Sequence, residues 1–284
     1  MQNVLVVGGT GYLGRKVLRK LCRQGFDVTC TYLQGENYQS LMDDINLNFL
    51  ECNINSIKYE LENKQYDWIM NFAALYEKKD TKVLDIVNVN SILGLQLLAL
   101  ACDYHIKNFL TIDTSLPEEL NLYSYTKKKV ASFGKYVSEK YGVNVMNLQP
   151  EMFYGDDEPR GRFIPSCIDR MKRGEILELT EGTQLRDIIY VTDVVEIIMK
   201  IISKVPKGYN DIPIGTGEGV TIREIIEYIH KSIGSKSELR FGAVEARKNE
   251  PDCIADVDKL YNIIGDYDFK YNWKSGLEHA IKES

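Results

Sequence analysis

A tyrosine and a lysine four residues apart are the first residues in this sequence with an evident chemical use. In the segment Tyr123-Ser-Tyr-Thr-Lys127, the spacing places both side chains on one face of a predicted helix, one turn apart. An ammonium group beside a phenol favours the phenolate and lowers the tyrosine pKa from about 10 towards neutrality. Such a tyrosine can donate a proton to a carbonyl oxygen, or accept one from an alcohol, while hydride moves.

The same spacing also occurs elsewhere, so position in the predicted fold must distinguish the pairs. The other three are Tyr12/Lys16, Tyr125/Lys129 and Tyr136/Lys140. Tyr12 lies in a glycine loop, and Tyr136 lies well along a predicted helix, where a surface pair is expected. Tyr123 begins that helix soon after a predicted strand at 106–112, and Tyr125 is its rival in register. Hydroxyl groups that follow the strand could share a substrate oxygen with Tyr123, and we favour Tyr123 because it sets Thr126-Lys127 in the expected place.

A glycine-rich loop near the beginning of the sequence predicts a phosphate site. Gly8, Gly11 and Gly14 follow the apolar run 4–7 directly and precede a helical pattern. Glycine permits the tight turn, allows close approach of a pyrophosphate and lets helix and strand pack closely. The phosphates would meet the unpaired N–H groups and the positive end of the helix dipole. A tight turn without a ligand is the alternative, but the strand–loop–helix context favours a dinucleotide.

The end of the second predicted strand bears on the choice of dinucleotide. An Asp there would select the ribose 2′-hydroxyl of NAD, and an Arg the 2′-phosphate of NADP. The strand ends at Tyr32 with neither; Glu36 lies in the next loop and Arg15 directly after the glycines. The missing carboxylate favours NADP(H) and leaves NAD(H) open.

Alternating strand and helix signals must position these residues. Apolar runs at 4–7, 27–32, 48–52, 68–72, 106–112 and 143–148 are separated by helical patterns, among them 89–102 and 125–141. Short apolar strands between helices predict a parallel sheet covered on both faces. Right-handed crossovers make that sheet doubly wound, as in the α/β fold that binds NAD(P), the Rossmann fold.

After Pro150 the sequence becomes typical of irregular segments with short elements, because glycine and proline become frequent. Capping signals at Thr192-Asp193 and Thr221-Ile-Arg-Glu224 predict helices over 194–202 and 222–233. We therefore predict a Rossmann domain over 1–150, rejoined by about 187–212. A smaller C-terminal domain over 151–186 and 213–284 would bind the substrate.

Composition excludes several classes of protein. The 284 residues include 44% hydrophobic and 27% charged residues, as in an ordinary globular protein. A net charge of −6 argues against nucleic-acid binding. No stretch approaches the roughly 20 apolar residues of a membrane span, and the start lacks a signal-peptide pattern. Scattered cysteines and three separated histidines predict free thiols in a reducing compartment and no metal site. We expect a cytoplasmic protein.

In their order along nearly the whole sequence, these motifs resemble the extended short-chain dehydrogenase/reductase family, which acts on nucleotide-activated sugars. Thr114, Tyr123 and Lys127 match its Ser/Thr–Tyr–Lys catalytic triad, and Asn71-Phe-Ala-Ala74 is similar to its strand-end segment beside the cofactor. Asn90 resembles the helix asparagine that supports the active-site region. The resemblance implies cofactor contacts from Gly8, Thr10, Gly11, Tyr12, Leu13, Gly14, Tyr32, Asn53, Ile54, Phe72, Ala73, Ala74, Asn90, Tyr123, Lys127 and Pro150.

The second half carries further motifs of that family. Phe163-Ile-Pro165 and the segment 182–193 resemble its substrate-domain signature, in which the arginine at the place of Arg186 contacts the nucleotide diphosphate. A bidentate guanidinium suits that anion. Arg247 is a second diphosphate candidate, and a salt-bridged or surface arginine is the alternative for each. The substrate contacts that the resemblance implies are Tyr76, Thr114, Glu151, Phe163, Arg186 and Arg247.

Departures from the family pattern narrow the expected reaction. Ser115-Leu116 stands where dehydratases carry Asp-Glu, so elimination of water is disfavoured. The short interval from Thr114 to Tyr123 and the segment 151–155 are similar to the branch of CDP-abequose and CDP-paratose synthases, which are NADPH-dependent 4-ketoreductases of CDP-6-deoxy sugars. Asn53 stands where the family usually has an Asp that contacts the adenine of the cofactor.

The resemblance therefore implies reduction of the C4 keto group of a nucleotide-linked 4-keto-6-deoxyhexose, with CDP favoured. A 4-epimerase with tightly retained NAD is the alternative within the fold. A catalytically silent NAD(P)-binding sensor or scaffold is the alternative of another class. Family members often form homodimers through a four-helix bundle, to which the predicted helices 89–102 and 125–141 would contribute.

Overall fold

A computed structural model describes residues 1–35, 38, 41, 47–78, 80–247 and 250–284. Glu36, considered above for the ribose, lies outside these residues. The chain divides into two compact units, Met1–Gln149 with Ile197–Ile212 and Pro150–Glu196 with Pro213–Ser284. Residues 187–196 thus fall in the second unit, whereas the sequence analysis expected them in the first.

Strands and helices alternate along the first half of the chain. The strands are β1 (Asn3–Val7), β2 (Asp27–Tyr32), β3 (Leu47–Glu51), β4 (Trp68–Asn71), β5 (Asn108–Ile112), β6 (Asn144–Pro150), β7 (Met152–Tyr154), β8 (Leu177–Leu179), β9 (Leu185–Arg186), β10 (Ile188–Tyr190), β11 (Tyr209–Ile214), β12 (Val220–Thr221) and β13 (Leu239–Phe241). The helices are α1 (Tyr12–Arg23), α2 (Ile54–Asn63), α3 (Val83–Val87), α4 (Leu93–Asp103), α5 (Leu122–Tyr141), α6 (Phe163–Lys172), α7 (Val191–Lys204), α8 (Ile222–Ile233), α9 (Val257–Ile264) and α10 (Trp273–Glu283).

Seven strands form one sheet in the order β11-β6-β5-β4-β1-β2-β3. Strands β1 to β6 pair in parallel with their neighbours. Val4, Leu5, Val6 and Val7 are fully buried, which explains why this strand is a continuous apolar run. The predicted doubly wound α/β fold is confirmed. The chain moves outward from β1 to β3 and then returns to β4 on the other side of β1, which creates the crevice where such sheets bind ligands.

Local sequence signals predict some boundaries of the strands and helices correctly and others incorrectly. Strand β2 and helix α8 begin and end where the sequence predicts, and α8 has the predicted capping box: Glu224 N donates to Thr221 Oγ1 at 3.1 Å. The predicted cap at Thr192-Asp193 is wrong, because α7 begins at Val191, directly after β10. Asp193 instead accepts hydrogen bonds from the Tyr267 hydroxyl and the Lys270 amide, each at 2.9 Å.

A continuous helical segment, Val83–Asp103, connects β4 to β5 and has a π-helical turn at Asn88–Ile92. By length and composition alone it could cross a membrane, with a mean hydropathy of 1.7, contrary to the expectation from the sequence. A helix in a protein core passes the same test. Here Leu97 and Leu98 are fully buried in the hydrophobic core of the sheet.

The second unit consists of helices and short strand pairs. Strands β7 and β10 pair in parallel, as do β8 and β13, whereas β9 and β12 are antiparallel. Asp187, between β9 and β10, is fully buried and accepts from the amides of Thr216 (2.9 Å), Gly217 (2.8 Å) and Ala255 (3.3 Å). This carboxylate organises the loop that follows β11. Asp187 lies in the segment 182–193 that resembles the substrate-domain signature, but it was not among the predicted site residues.

Candidate active site

The glycine loop between β1 and α1 makes a close turn that side chains would prevent. A Cβ on Gly14 would sit 2.3 Å from the Gly8 carbonyl oxygen, so only glycine permits this close turn. Gly8 has φ +75°, and a Cβ there would sit 2.5 Å from the amide nitrogen of Ala73. Gly11 has no side chain to cap α1, and Tyr12, Leu13 and Gly14 bring no acidic group to its first turn. The helix amides therefore suit an anion, and the loop fits the expected dinucleotide.

Three further candidate cofactor residues lie at or just after the ends of β2 and β3. The ring of Tyr32 contacts that of Tyr38, with centroids 4.5 Å apart. Asn53 caps α2, since its Oδ1 accepts from the Ser56 amide at 2.8 Å, and Ile54 is the first residue of that helix. The side-chain oxygen of Asn53 is thus already used to cap this helix.

The segment after β4 is held by Asn90, which lies in the π-helical turn. The Oδ1 of Asn90 accepts from the Leu75 amide at 2.8 Å, and its Nδ2 donates to the Leu75 carbonyl at 2.9 Å. The same Nδ2 lies 3.4 Å from the Thr126 hydroxyl on α5. Asn90 therefore fixes the path of the chain beyond Phe72, Ala73 and Ala74 and connects it to α5. Its amide is directed to protein groups, which fits the supporting role that the resemblance implied.

Helix α5 presents Tyr123 and Lys127 on one buried face. The helix begins at Leu122, earlier than predicted, because Asn121 and Ser124 form a capping box: Ser124 N donates to Asn121 Oδ1 at 2.8 Å. Tyr123 is 8% exposed and Lys127 is 2% exposed. The ring of Tyr76 stacks on that of Tyr123, with centroids 4.7 Å apart and planes inclined by 18°.

Lys127 extends from α5 to the segment after β4. Its Nζ donates to the carbonyl oxygen of Ala73 at 3.4 Å. Burial lowers the pKa of Lys127 from 10.5 to about 8; the carboxylate of Asp113 opposes this shift, and the ammonium of Lys128 adds to it. Because this pKa is near neutrality, the charge of Lys127 can change when a proton is transferred beside it.

Exposure separates Tyr123 from the other tyrosines with the same spacing. Tyr125 is 48% exposed, and the Lys129 ammonium lies 4.0 Å from its ring centre while also pairing with Glu118. Tyr136 is 52% exposed. Lys16 lies 5.5 Å from the ring centre of Tyr12, at the beginning of α1. Tyr125 and Tyr136 are thus surface residues and Tyr12 belongs to the glycine loop, which supports the choice of Tyr123.

Thr114 follows β5 and is buried, with 7% of its surface exposed. Its Oγ1 accepts from the Leu116 amide at 3.2 Å, and its carbonyl oxygen accepts from the Lys128 ammonium at 2.5 Å. Strands β5, β4 and β1 are consecutive in the sheet, so Thr114, the Ala73 segment and the glycine loop follow neighbouring carboxyl ends. A carbonyl substrate at this edge of the sheet would meet the Thr114 hydroxyl, the Tyr123 phenol and the Lys127 ammonium. All three groups belong to the first unit.

In the second unit, Arg186 already has protein partners. It is 9% exposed; its Nη1 donates to the carbonyls of Leu185 (2.7 Å) and Pro251 (2.8 Å), and its Nη2 pairs with Glu250. The salt-bridged arginine, the alternative from the sequence, is what the structure presents. Arg247 is exposed.

Three candidates remain in this unit, Pro150 at the end of β6, Glu151 directly before β7, and Phe163. Pro150 and Glu151 are both buried, and the Glu151 amide donates to the Ile214 carbonyl at 2.9 Å. Phe163 is the first residue of α6 and is half-buried.

Sequence comparison identifies relatives across the chain. Residues 4–215 match the model of the NAD dependent epimerase/dehydratase family. A CDP-abequose synthase of Salmonella typhimurium is 28% identical, with 98% of this chain and 97% of that protein covered. A GDP-6-deoxy-D-talose 4-dehydrogenase of Aggregatibacter actinomycetemcomitans is 26% identical, with 94% and 92% covered.

Structural comparison finds the same fold. A UDP-glucuronic acid 4-epimerase from Bacillus cereus, solved in complex with UDP-glucuronic acid and NAD, superposes with a TM-score of 0.85 at 21% identity. The alignment covers 99% of this chain and 98% of that one.

Proposed function

This chain belongs to the NAD dependent epimerase/dehydratase family, and on that premise we propose that it reduces the C4 keto group of a nucleotide-linked 4-keto-6-deoxyhexose. One observation carries the proposal: Tyr123 and Lys127 are both buried on one face of α5, and Lys127 contacts the segment after β4. Because each is a polar group withdrawn from water, this arrangement suits proton transfer at a carbonyl better than it suits fold stability.

Each residue has a distinct role in the proposed reaction. The bound dinucleotide supplies hydride to C4. Tyr123 donates the proton that the C4 oxygen acquires, and the cationic Lys127 lowers the phenol pKa and binds the nicotinamide ribose. Thr114 donates a hydrogen bond that orients the carbonyl oxygen. Orientation of the reacting groups supplies much of the rate, about 7–11 kcal/mol in well-aligned systems.

The choice of cofactor and nucleotide rests on local chemistry and on likeness to relatives. Strand β2 ends at Tyr32 without the carboxylate that selects NAD, which supports NADP(H). The likeness to CDP-abequose synthase supports a CDP-sugar. In the second unit, Arg186 and Arg247 would bind the diphosphate, with Arg186 exchanging its contact with Glu250 for the anion.

Oxidation of NADPH against a panel of substrates tests the proposal. The purified chain is mixed with CDP-, dTDP-, UDP- and GDP-linked 4-keto-6-deoxyhexoses, and absorbance at the nicotinamide band is followed. We expect stoichiometric loss of NADPH with the CDP-sugar and slower loss with the others. An unchanged absorbance with all four would contradict the proposal.

A 4-epimerase is the second candidate, since the structurally similar UDP-glucuronic acid 4-epimerase was solved with NAD. An epimerase would purify with bound NAD and interconvert 4-epimers without net change in the nicotinamide absorbance. A silent sensor or scaffold would bind NADPH and convert no sugar. The buried Tyr123 and Lys127 argue against that reading, because a binder needs no proton donor.

We further propose a cytoplasmic homodimer. All six cysteines fall within the described residues and none forms a disulfide, as suits a reducing compartment. Ile92 and Tyr136 are large apolar residues with 42% and 52% of their surfaces exposed, the first in the π-helical turn and the second on α5. A second copy would cover them. Sedimentation of the purified chain tests this.

A further inference from the structure

An ion pair between buried Asp113 and partly buried Lys128 lies beside Thr114 and has no role in the proposed reaction. The Lys128 ammonium lies 2.9 Å from Asp113 Oδ2, and the Asp113 side chain is 1% exposed while that of Lys128 is 20% exposed. Lys128 directly follows Lys127 on α5, and Asp113 directly precedes Thr114. The pair therefore connects the helix that carries Tyr123 to the end of β5.

The surroundings of the Asp113 carboxylate are asymmetric. Its Oδ2 accepts from Lys128, from Asn147 Nδ2 at 2.9 Å and from Gln149 Nε2 at 3.4 Å. Among the described residues, its Oδ1 has no hydrogen-bond partner although it is buried. An ion pair withdrawn from water stabilises a fold poorly compared with apolar side chains of similar volume. The arrangement suggests a role other than stability.

The contacts of Lys128 reach the backbone of Thr114 itself. Its Nζ donates to the Thr114 carbonyl at 2.5 Å, while the Thr114 Oγ1 accepts from the Leu116 amide at 3.2 Å. The Asp113 amide donates to the Leu148 carbonyl at 2.7 Å on β6. The turn 113–116 is thus held on one side by the sheet and on the other by α5. Adjacent lysines of α5 contact two strand ends, Lys127 the segment after β4 and Lys128 the turn after β5.

We propose that Lys128, paired with Asp113, is a positioning residue. It holds the Thr114 hydroxyl where this group and the Tyr123 hydroxyl can contact the same substrate oxygen. The inference rests on the proposed reduction, in which Thr114 orients the carbonyl oxygen. Lys128 touches neither substrate nor cofactor in this role. It acts through the Thr114 carbonyl, and its loss lets the turn 113–116 move relative to α5.

Three variants separate positioning from stability. Lys128→Met removes the cation and leaves the Asp113 carboxylate buried without it. The double variant Asp113→Asn/Lys128→Met removes both charges of the pair together, so neither partner is left without the other, but the contact with Thr114 stays absent. Lys135→Met is the matched control, because Lys135 is an exposed lysine on the same helix.

For each protein, kcat and KM are measured with CDP-4-keto-6-deoxyglucose, the NADPH Kd by fluorescence, and amide hydrogen exchange over residues 113–116. We expect Lys128→Met and the double variant to lose about 10–100-fold in kcat, the scale of a small misplacement of a catalytic group. KM and the NADPH Kd change little, and exchange at 113–116 becomes faster in both. Lys135→Met matches the wild type throughout.

Recovery of wild-type kcat in the double variant would overturn the proposal, since the pair would then act only through stability. Wild-type exchange at 113–116 in that variant would overturn it as well, and this readout needs no turnover. If the wild-type chain reduces none of the nucleotide sugars, the proposed reduction fails. The exchange comparison then still decides whether Lys128 holds the Thr114 turn.

Discussion

The Nζ of Lys127 lies 3.4 Å from the carbonyl oxygen of Ala73, and that contact joins α5 to the segment after β4. The same Ala73 closes over Gly8, where an added Cβ would lie 2.5 Å from its amide nitrogen. One residue thus contacts both the glycine loop and the buried lysine. Within the first unit, the backbone of Ala73 thus connects the glycine loop to the proton-transfer residues, and the link to α5 depends on the Lys127 side chain.

Tyr123→Phe tests the proton donor. We expect kcat to fall about 10²–10⁴-fold, the scale of one acid–base group, while the NADPH Kd changes little because only a hydroxyl is lost. Stopped-flow oxidation of NADPH measures the rate. Tyr125→Phe is the matched control on the exposed face of α5 and should retain wild-type kcat. Near-full turnover in Tyr123→Phe would remove this residue from the mechanism.

The pH dependence of activity tests Lys127. Its pKa of about 8 means that the cation is lost as the pH rises through that value. Because the proposed role needs the ammonium, kcat/KM should fall tenfold per pH unit above about pH 8. Lys127→Arg keeps its charge at these pH values and should show no such decline, although with a lower maximum. A wild-type profile that stays flat to pH 10 would contradict the role.

Lys127→Met should stabilise the fold. The unfolded chain binds this proton with a pKa near 10.5 and the folded chain with one near 8, so burial of the cation costs about 3 kcal/mol below pH 8. That cost disappears as the pH rises from 8 to 10.5. Urea unfolding should show a gain of about 1–3 kcal/mol at pH 7 and a smaller one at pH 10. A loss of stability at pH 7 would contradict the prediction, and Lys135→Met should change nothing.

Gly14→Ala tests the dinucleotide loop. The new Cβ would lie 2.3 Å from the Gly8 carbonyl oxygen, so α1 must move away from the loop. We expect the NADPH Kd to rise at least about tenfold, with a stability loss of about 1–3 kcal/mol from overpacking. Fluorescence titration and thermal unfolding measure the two effects. Gly161→Ala, where an added Cβ meets nothing within 4 Å, should match the wild type.

Arg186→Lys tests the diphosphate site. A lysine loses the planar fork, so KM for the nucleotide sugar should rise about 10–100-fold, equivalent to about 1.5–3 kcal/mol for a charged hydrogen bond. The NADPH Kd and kcat at saturation should change little. Arg223→Lys, at a half-exposed arginine paired with Glu181, is the control. An unchanged KM would show that Arg186 serves only its contact with Glu250.

The sequence was informative where one local pattern determines the structure. The apolar strands and the glycine spacing predict the parallel sheet, because strands buried on both faces need apolar residues throughout. The Tyr–Lys spacing was less decisive, since Tyr123 and Tyr125 lie on one helix and both have lysine partners. Burial distinguishes them in the structure, and burial depends on how α5 packs.

Contacts between distant residues were missed. Asp113 meets Lys128 and Asn147 across 15 and 34 residues, and Arg186 meets Glu250 across 64. Single charges carry no periodic pattern, so nothing in the sequence pairs them. The false cap at Thr192 has a similar cause: β10 runs directly into α7, and packing of apolar residues such as Val191 fixes the start of the helix instead of a polar side chain.

The π-helical turn at Asn88–Ile92 accommodates one residue more than an α-helical turn within the helical segment 83–103. Because the wider turn absorbs that residue, removing one residue there would give a regular helix and leave the residues beyond it facing nearly the same way. A deletion in the regular helix after the turn would instead rotate everything beyond it by about 100°, the angle per residue at 3.6 residues per turn. One-residue deletions within the turn should therefore be tolerated better than deletions at 93–96, which would turn Leu97 away from the core.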